Sequence, residues 1–112
     1  VSFTLFLSEP ETYEGGALEI EDTFEARQIR LPAGSVVVYP STTLHRATPV
    51  TAGERLAVVG WAASWVRHAE RRAVRFGLDR AVAEVHGREG KGALFDTLAK
   101  TRSNLTRMWA GD

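Results

Sequence analysis

Short stretches of alternating apolar and polar residues fill the first half of the chain, and each has the length of a strand. Residues 2–7 and 17–21 place an apolar side chain at every second position, which is typical of a strand with one buried face. Prolines and glycines separate the stretches, as in the pair Gly15-Gly16 and at Pro40. The pattern therefore predicts six strands, at residues 2–7, 17–21, 27–31, 35–39, 44–50 and 55–62.

The last of these stretches, residues 55–62, is apolar almost throughout, and we expect it to be buried on both faces. None of the segments that join the strands is long enough to contain a crossover helix. The strands are therefore expected to pair antiparallel, in a sandwich or a barrel.

The hydrophobic period changes near Trp65 from two residues to three or four, which predicts amphipathic helices. The glycine-rich run at 86–92 is expected to end the first helix. Each apolar stripe needs a partner, most simply a face of the sheet. We therefore divide the chain into a β domain, residues 1–64, and a helical region, residues 65–112, that packs on the sheet. The stripes comprise Val74, Leu78, Ala81, Val82 and Val85 in the first helix and Leu94, Leu98, Leu105 and Trp109 in the second.

The composition excludes several classes of protein. The 112 residues contain no cysteine, which rules out disulfides, zinc ribbons and cysteine nucleophiles, so any metal must be held by His, Asp or Glu. The 14 basic and 14 acidic residues cancel to a formal charge of zero, and we expect no binding to nucleic acid or to anionic membranes. No apolar run approaches the roughly 20 residues that a membrane-spanning helix needs.

His45 is the first candidate for chemistry. It follows a buried-looking strand and the turn at 40–43, and imidazole is both the commonest metal ligand and the usual proton shuttle. The residues alone do not exclude a second interpretation, in which His45 packs at the end of a strand and one of its ring nitrogens is hydrogen-bonded within the protein. Tyr39 presents a similar choice, since its phenol either meets a ligand in a cavity or packs in the core.

Arg55 is the second candidate, because it begins an otherwise apolar strand ten residues after His45. An arginine that enters the interior of a sheet must be paired, since an unpaired buried guanidinium is very costly. Its fork of donors suits a carboxylate in bidentate geometry. That carboxylate belongs either to an Asp or Glu of the protein or to a ligand, and the residue by itself does not decide between them.

Several strings of the sequence together resemble the PKHD-type hydroxylases, which are bacterial Fe(II)- and 2-oxoglutarate-dependent dioxygenases related to prolyl 4-hydroxylases. The resemblance covers nearly the whole chain, and the region from Trp65 to NLTRMW at 104–109 is similar to the C-terminal helices of that family. The other strings are LFLSEP at 5–10, YEGGAL at 13–18, LPAGSVVVYPS at 31–41 and LHRATPV at 44–50.

The resemblance implies a double-stranded β-helix, or jelly roll, with iron at its mouth, here present in part and followed by two helices. It implies that His45 is the distal iron ligand and that Arg55 binds the far carboxylate of 2-oxoglutarate. A facial triad of two histidines and one carboxylate leaves coordination positions open for the keto acid and dioxygen. By the same resemblance, the cofactors are Fe(2+), 2-oxoglutarate and L-ascorbate, and the enzyme is a bacterial cytoplasmic hydroxylase of unidentified small-molecule or protein substrate.

The chain departs from the family pattern in one respect, since it contains no His-x-Asp pair. We interpret it as the C-terminal part of a longer protein in which that pair lies upstream of Val1. By itself this part is then expected to be inactive, and to be poorly stable or to form homo-oligomers, because missing strands expose sheet edges. The alternatives are a non-catalytic jelly-roll binding module that has lost the metal triad, and an adaptor that uses the basic helix face at Arg67, Arg71 and Arg75.

Overall fold

The alternating first half of the chain forms eight short strands, and the second half forms two helices. The computed structural model describes all 112 residues, which divide into two units, Val1–Ala62 and Ala63–Asp112. The prediction of a mainly β chain with antiparallel sheets and two C-terminal helices, as in a partial jelly roll, is confirmed. The strands are β1 (Ser2–Phe6), β2 (Tyr13–Gly15), β3 (Leu18–Glu21), β4 (Ala26–Ile29), β5 (Val36–Tyr39), β6 (Leu44–Ala47), β7 (Val50–Gly53) and β8 (Ala57–Trp61), and the helices are α1 (Ala69–Glu89) and α2 (Ala93–Trp109).

The strands of the β unit form three antiparallel sheets. Strand β1 lies between β5 and β8, β3 lies between β4 and β6, and β2 pairs with β7. Directly opposed residues of an antiparallel pair point to the same face, so the register shows which side chains share a face. One face of the first sheet carries Ser2, Thr4 and Phe6 of β1 together with Tyr39 of β5.

The core of the β unit is small and is built from both three-stranded sheets. Phe6, Leu18 and Tyr39 form one buried cluster, although they come from β1, β3 and β5. Four partly buried apolar residues pack against it. Since Phe6 and Tyr39 lie on one sheet and Leu18 on the other, the buried faces of the two sheets are directed at the same core. The four surrounding residues are Ile20, Ile29, Leu31 and Val37.

Two expectations about the strands need correction. Residues 44–50, expected as one extended stretch interrupted by Pro49, belong to two separate strands, because Pro49 has no N–H for a ladder and the chain leaves β6 before it enters β7. Thr48 marks this break, since its backbone N–H donates to the carbonyl of Ala17 and its hydroxyl accepts from the N–H of Ala17. The stretch 55–62 is also not buried on both faces, since Val58, Val59 and Trp61 are exposed.

The helical unit agrees with the predicted period, and its first helix ends inside the glycine-rich run 86–92, as predicted. Helix α1 continues through Gly87 to Glu89 and ends at Gly90, whose positive φ of 68° suits a glycine and whose N–H donates to the carbonyl of His86. Helices α1 and α2 contact each other, and Arg75 and Arg102 both bind Asp79, at 3.2 Å each. The packing of the helical region on the sheet stays a prediction.

Neither helix has the length and apolar character that crossing a bilayer requires.

Gly53 provides a test of the β2–β7 ladder. Its φ is +77°, and a Cβ at this position would overlap the carbonyl oxygen of Thr12. Gly34 has a similar φ of +87° but no atom within 4 Å of the corresponding point. We expect Gly34→Ala to lower the free energy of unfolding by about 1 kcal/mol through backbone strain alone. We expect Gly53→Ala to lower it by about 3 kcal/mol, because the overlap adds to the strain.

Denaturant unfolding of the two variants measures this difference directly. An equal loss of stability in both would contradict the close approach of the two strands at Gly53.

Candidate functional site

A cavity of about 320 Å³ opens within the β unit. Its volume lies at the lower end of the range of roughly 300–1,000 Å³ that is typical of small-molecule sites. Its wall combines a largely apolar surface with an imidazole, a phenol and a guanidinium. The residues that line it include Ser2, Tyr39, His45, Arg55, Val59 and Trp61.

The alternation of strand β6 directs His45 toward the cavity side of its sheet. His45 is opposite Ile20 of β3 in the register and therefore shares a face with this partly buried core residue. Arg46, the next residue, points to the other face and is 3.1 Å from Glu19. Hydrogen bonds to Glu19 from the Arg46 guanidinium, and then from the Gln28 amide, hold the pKa of that carboxyl below its usual range.

The imidazole of His45 has a defined tautomer. Its Nδ1 is 2.7 Å from the backbone carbonyl oxygen of Thr43. A carbonyl oxygen can only accept a hydrogen bond, so Nδ1 carries the proton and Nε2 of the neutral ring is left with a lone pair. This is the arrangement by which proteins prepare a histidine to bind a metal ion through Nε2.

Tyr39 lies beside this imidazole. It is buried, with 8% of its surface exposed, and it belongs both to the core cluster and to the wall of the cavity. Its ring centroid is 4.9 Å from that of His45, and the two planes meet at 63° in an edge-to-face contact. Tyr39 therefore packs in the core and also lines the cavity, the two positions that the sequence left open for it.

Arg55 reaches the same cavity from the segment that precedes β8. The segment is fixed to the chain beyond β1, because the N–H of Leu7 donates to the carbonyl of Leu56 at 3.0 Å and the N–H of Leu56 donates to the hydroxyl of Ser8 at 2.8 Å. The guanidinium carbon of Arg55 is 5.4 Å from the ring centroid of Phe6, within cation–π range.

The charge of Arg55 has no counter-ion within the β unit. No carboxylate of that unit lies within 4.0 Å of it, and its Nε is buried without any hydrogen-bond acceptor. A partly buried guanidinium without a partner is unfavourable, and an incoming carboxylate removes this cost. Of the two partners that the sequence left open, the protein's own carboxylates in the β unit are therefore ruled out.

Some lining residues were not singled out by the sequence analysis. Ser2 and Trp61 are opposed in the β1–β8 register, and Trp61 is 84% exposed where it borders the cavity. The apolar stretch 57–61 has no alternation that could have shown which of its residues face inward, and the facing is fixed only by pairing with β1. His68 and His86 are exposed in the helical unit, and neither lines this cavity. No group of three His, Asp or Glu side chains in the chain could hold a metal ion.

Comparison with known proteins gives two consistent results. Residues 1–63 match the 2OG-Fe(II) oxygenase superfamily. The chain is also 52% identical over 110 residues to a PKHD-type hydroxylase of Synechococcus elongatus, 53% over 111 residues to one of Hyphomonas neptunium and 46% over 112 residues to one of Maricaulis maris.

These alignments cover 98%, 98% and 100% of this chain but only 49%, 50% and 51% of the three relatives. The chain thus spans about half the length of the curated relatives it matches, and it corresponds to their C-terminal portion.

Replacing Arg55 tests whether its charge is unpaired. In the protein without ligand, Arg55→Met removes a desolvated guanidinium that costs about 1–3 kcal/mol. It also removes a stacking contact with Phe6 that contributes roughly 0.5–1 kcal/mol. We therefore expect the free energy of unfolding to rise by about 1 kcal/mol.

The matched control is Arg46→Met, which deletes the surface ion pair with Glu19 and is expected to lower stability by at most about 1 kcal/mol. A marked loss of stability in Arg55→Met, measured by denaturant unfolding, would mean that Arg55 does have a partner in the folded protein.

Proposed function

Because the chain belongs to the 2OG-Fe(II) oxygenase superfamily, we propose that it supplies one part of the active site of a PKHD-type hydroxylase dependent on Fe(II) and 2-oxoglutarate. One observation carries the proposal: a histidine with a free Nε2 and an arginine without a counter-ion line the same cavity. These are the two groups needed to hold a metal-bound keto acid at both of its ends.

His45 is assigned as one ligand of the iron. The hydrogen bond from Nδ1 to the carbonyl of Thr43 leaves Nε2 as the donor atom. Bound iron would couple the oxidative decarboxylation of 2-oxoglutarate to the hydroxylation of a C–H bond. A facial triad needs one further histidine and one carboxylate. We assign the second histidine and the carboxylate to the half of the full-length relatives that this chain does not cover.

Arg55 is assigned to the distal carboxylate of 2-oxoglutarate. Its guanidinium can donate two parallel hydrogen bonds to that carboxylate, and this geometry fixes the orientation of the keto acid as well as its affinity. The Phe6 ring, 5.4 Å from the guanidinium carbon, lowers the polarity of the surroundings on that side and so strengthens the ion pair. The chain therefore contributes binding and orientation to the reaction.

The proposal extends to the remaining reactants by family resemblance. Dioxygen is the co-substrate, and L-ascorbate is the reductant that maintains the iron as Fe(II). We place the enzyme in the bacterial cytoplasm. The hydroxylated substrate is left unassigned, because no residue of the described cavity selects one.

The assignments predict different effects for the two residues in the complete protein. We expect His45→Ala to abolish succinate formation from 2-oxoglutarate, because the iron loses a ligand. We expect Arg55→Met to raise KM for 2-oxoglutarate by about 30-fold or more, since truncating one partner of a buried charge pair costs about 2–5 kcal/mol. Coupled assays of succinate release and calorimetric titration with 2-oxoglutarate measure these effects.

Arg46→Met is the matched control, because Arg46 is adjacent to His45 in sequence and points to the opposite face of the sheet. Its kinetics are expected to match those of the unchanged protein. Wild-type succinate formation by His45→Ala would refute the ligand assignment. Absence of any iron binding by the unchanged complete protein would instead favour a jelly-roll module that binds a carboxylate without catalysis.

A further inference from the structure

The turn between β5 and β6 determines the orientation of the His45 ring. The N–H of Thr43 donates to the carbonyl of Pro40 at 3.0 Å and closes the turn. The carbonyl of Thr43 then accepts the hydrogen bond from His45 Nδ1 at 2.7 Å. Because the acceptor is a backbone atom of the turn, any movement of the turn changes the direction in which Nε2 points.

This turn is itself attached to β1. The hydroxyl oxygens of Ser41 and Ser2 are 2.8 Å apart and share a hydrogen bond. Ser2 is 3% exposed and is held in the centre of its sheet by pairing with Tyr39 on one side and Trp61 on the other. Ser41, in contrast, is exposed. The hydroxyl of Ser41 thus links an exposed turn to a rigid, buried strand.

The ring of Tyr39 restrains the imidazole from a second direction. Its edge-to-face contact with His45 limits rotation of the imidazole, and Tyr39 is fixed because it is part of the buried cluster with Phe6 and Leu18. Two supports therefore converge on His45: the turn, which is attached through Ser41, and the aromatic ring that precedes the turn. Both supports are anchored on the same residue of β1, since Ser2 binds Ser41 and pairs with Tyr39.

We propose that Ser41 and Tyr39 are positioning residues that keep Nε2 of His45 directed at the metal. The inference rests on the proposed role of His45 as a metal ligand and deepens it. Partners of a metal-bound histidine typically change metal affinity by 10–100-fold when they are removed. Ser41 acts one step further away, through the turn, and its effect is expected to be smaller.

The test uses the complete protein and Co(II) as the metal probe, whose absorption in the visible range reports binding. We expect Ser41→Ala to raise the Kd for Co(II) about three- to tenfold and Tyr39→Leu to raise it about tenfold. Ser41→Thr retains the hydroxyl and Tyr39→Phe retains the ring, so both are expected to restore the original affinity. Thr42→Ala is the matched control, because Thr42 is exposed in the same turn and its hydroxyl makes no hydrogen bond in the β unit.

A second readout separates positioning from general loss of structure. In the metal-free protein, the ¹⁵N chemical shifts of the neutral imidazole report how much of it carries the proton on Nδ1. We expect this fraction to fall in Ser41→Ala and Tyr39→Leu and to stay high in Ser41→Thr, Tyr39→Phe and Thr42→Ala.

The inference is overturned if Ser41→Ala and Tyr39→Leu change only the melting temperature and leave Co(II) affinity and the tautomer as they are. In that case a loss of Co(II) binding in His45→Ala still supports the proposed function. Unchanged Co(II) affinity in His45→Ala would instead reject the ligand assignment, and the positioning role with it.

Discussion

The register of strand β1 is the constraint on which the rest of the β unit depends. Because β1 pairs with β5 on one side and with β8 on the other, its inward-facing residues decide which side chains of both neighbours line the interior. A shift by one residue would place Tyr39 on the face of Phe3 and Leu5 instead of the face of Ser2 and Phe6, so Phe6 and Tyr39 could no longer share the core. The cavity and the core are thus two parts of one interior, and both are set by the same pairing.

Arg55 illustrates how a binding site opposes stability. A domain with a small core gains from burying apolar groups and from pairing every charge, yet here a guanidinium is held against Phe6 with no acceptor for its Nε. Such a group lowers the stability of the β unit, and on the proposed function the carboxylate of 2-oxoglutarate would supply the missing hydrogen bonds. His45 follows the same principle, since its Nδ1 is satisfied while Nε2 is left without a partner in the β unit.

Much of this arrangement could be predicted from the sequence, because its signals are local. The two-residue period of 2–7 and 17–21 located β1 and β3, and the three-to-four-residue period located both helices. The family resemblance supplied the roles proposed for His45 and Arg55. The position of Arg55 at the start of an apolar stretch indicated that its charge needs a partner, although not whether the protein or a ligand provides it.

The features that were missed depend on contacts between distant residues. The short strands β2 and β7 have little pattern of their own, and they form because Tyr13 meets Gly53 across the ladder. The exposure of Val58, Val59 and Trp61 could not be read from an apolar run, which indicates hydrophobicity but not which neighbours are available to cover it. The Ser2–Ser41 hydrogen bond joins residues 39 positions apart, and neither serine stands out in the sequence.

Gly16 shows how far the demands of a site extend into the surrounding chain. It has a φ of +62°, and a Cβ there would stand 2.7 Å from Val50 Cγ2 and 3.1 Å from Arg55 Cδ. The absence of a side chain at this position therefore creates the space in which the arginine stem lies. On the proposed function, a side chain at this position would displace the arginine from the carboxylate it is assigned to bind, so a saturation screen scored by catalysis would rank Gly16 beside His45 and Arg55.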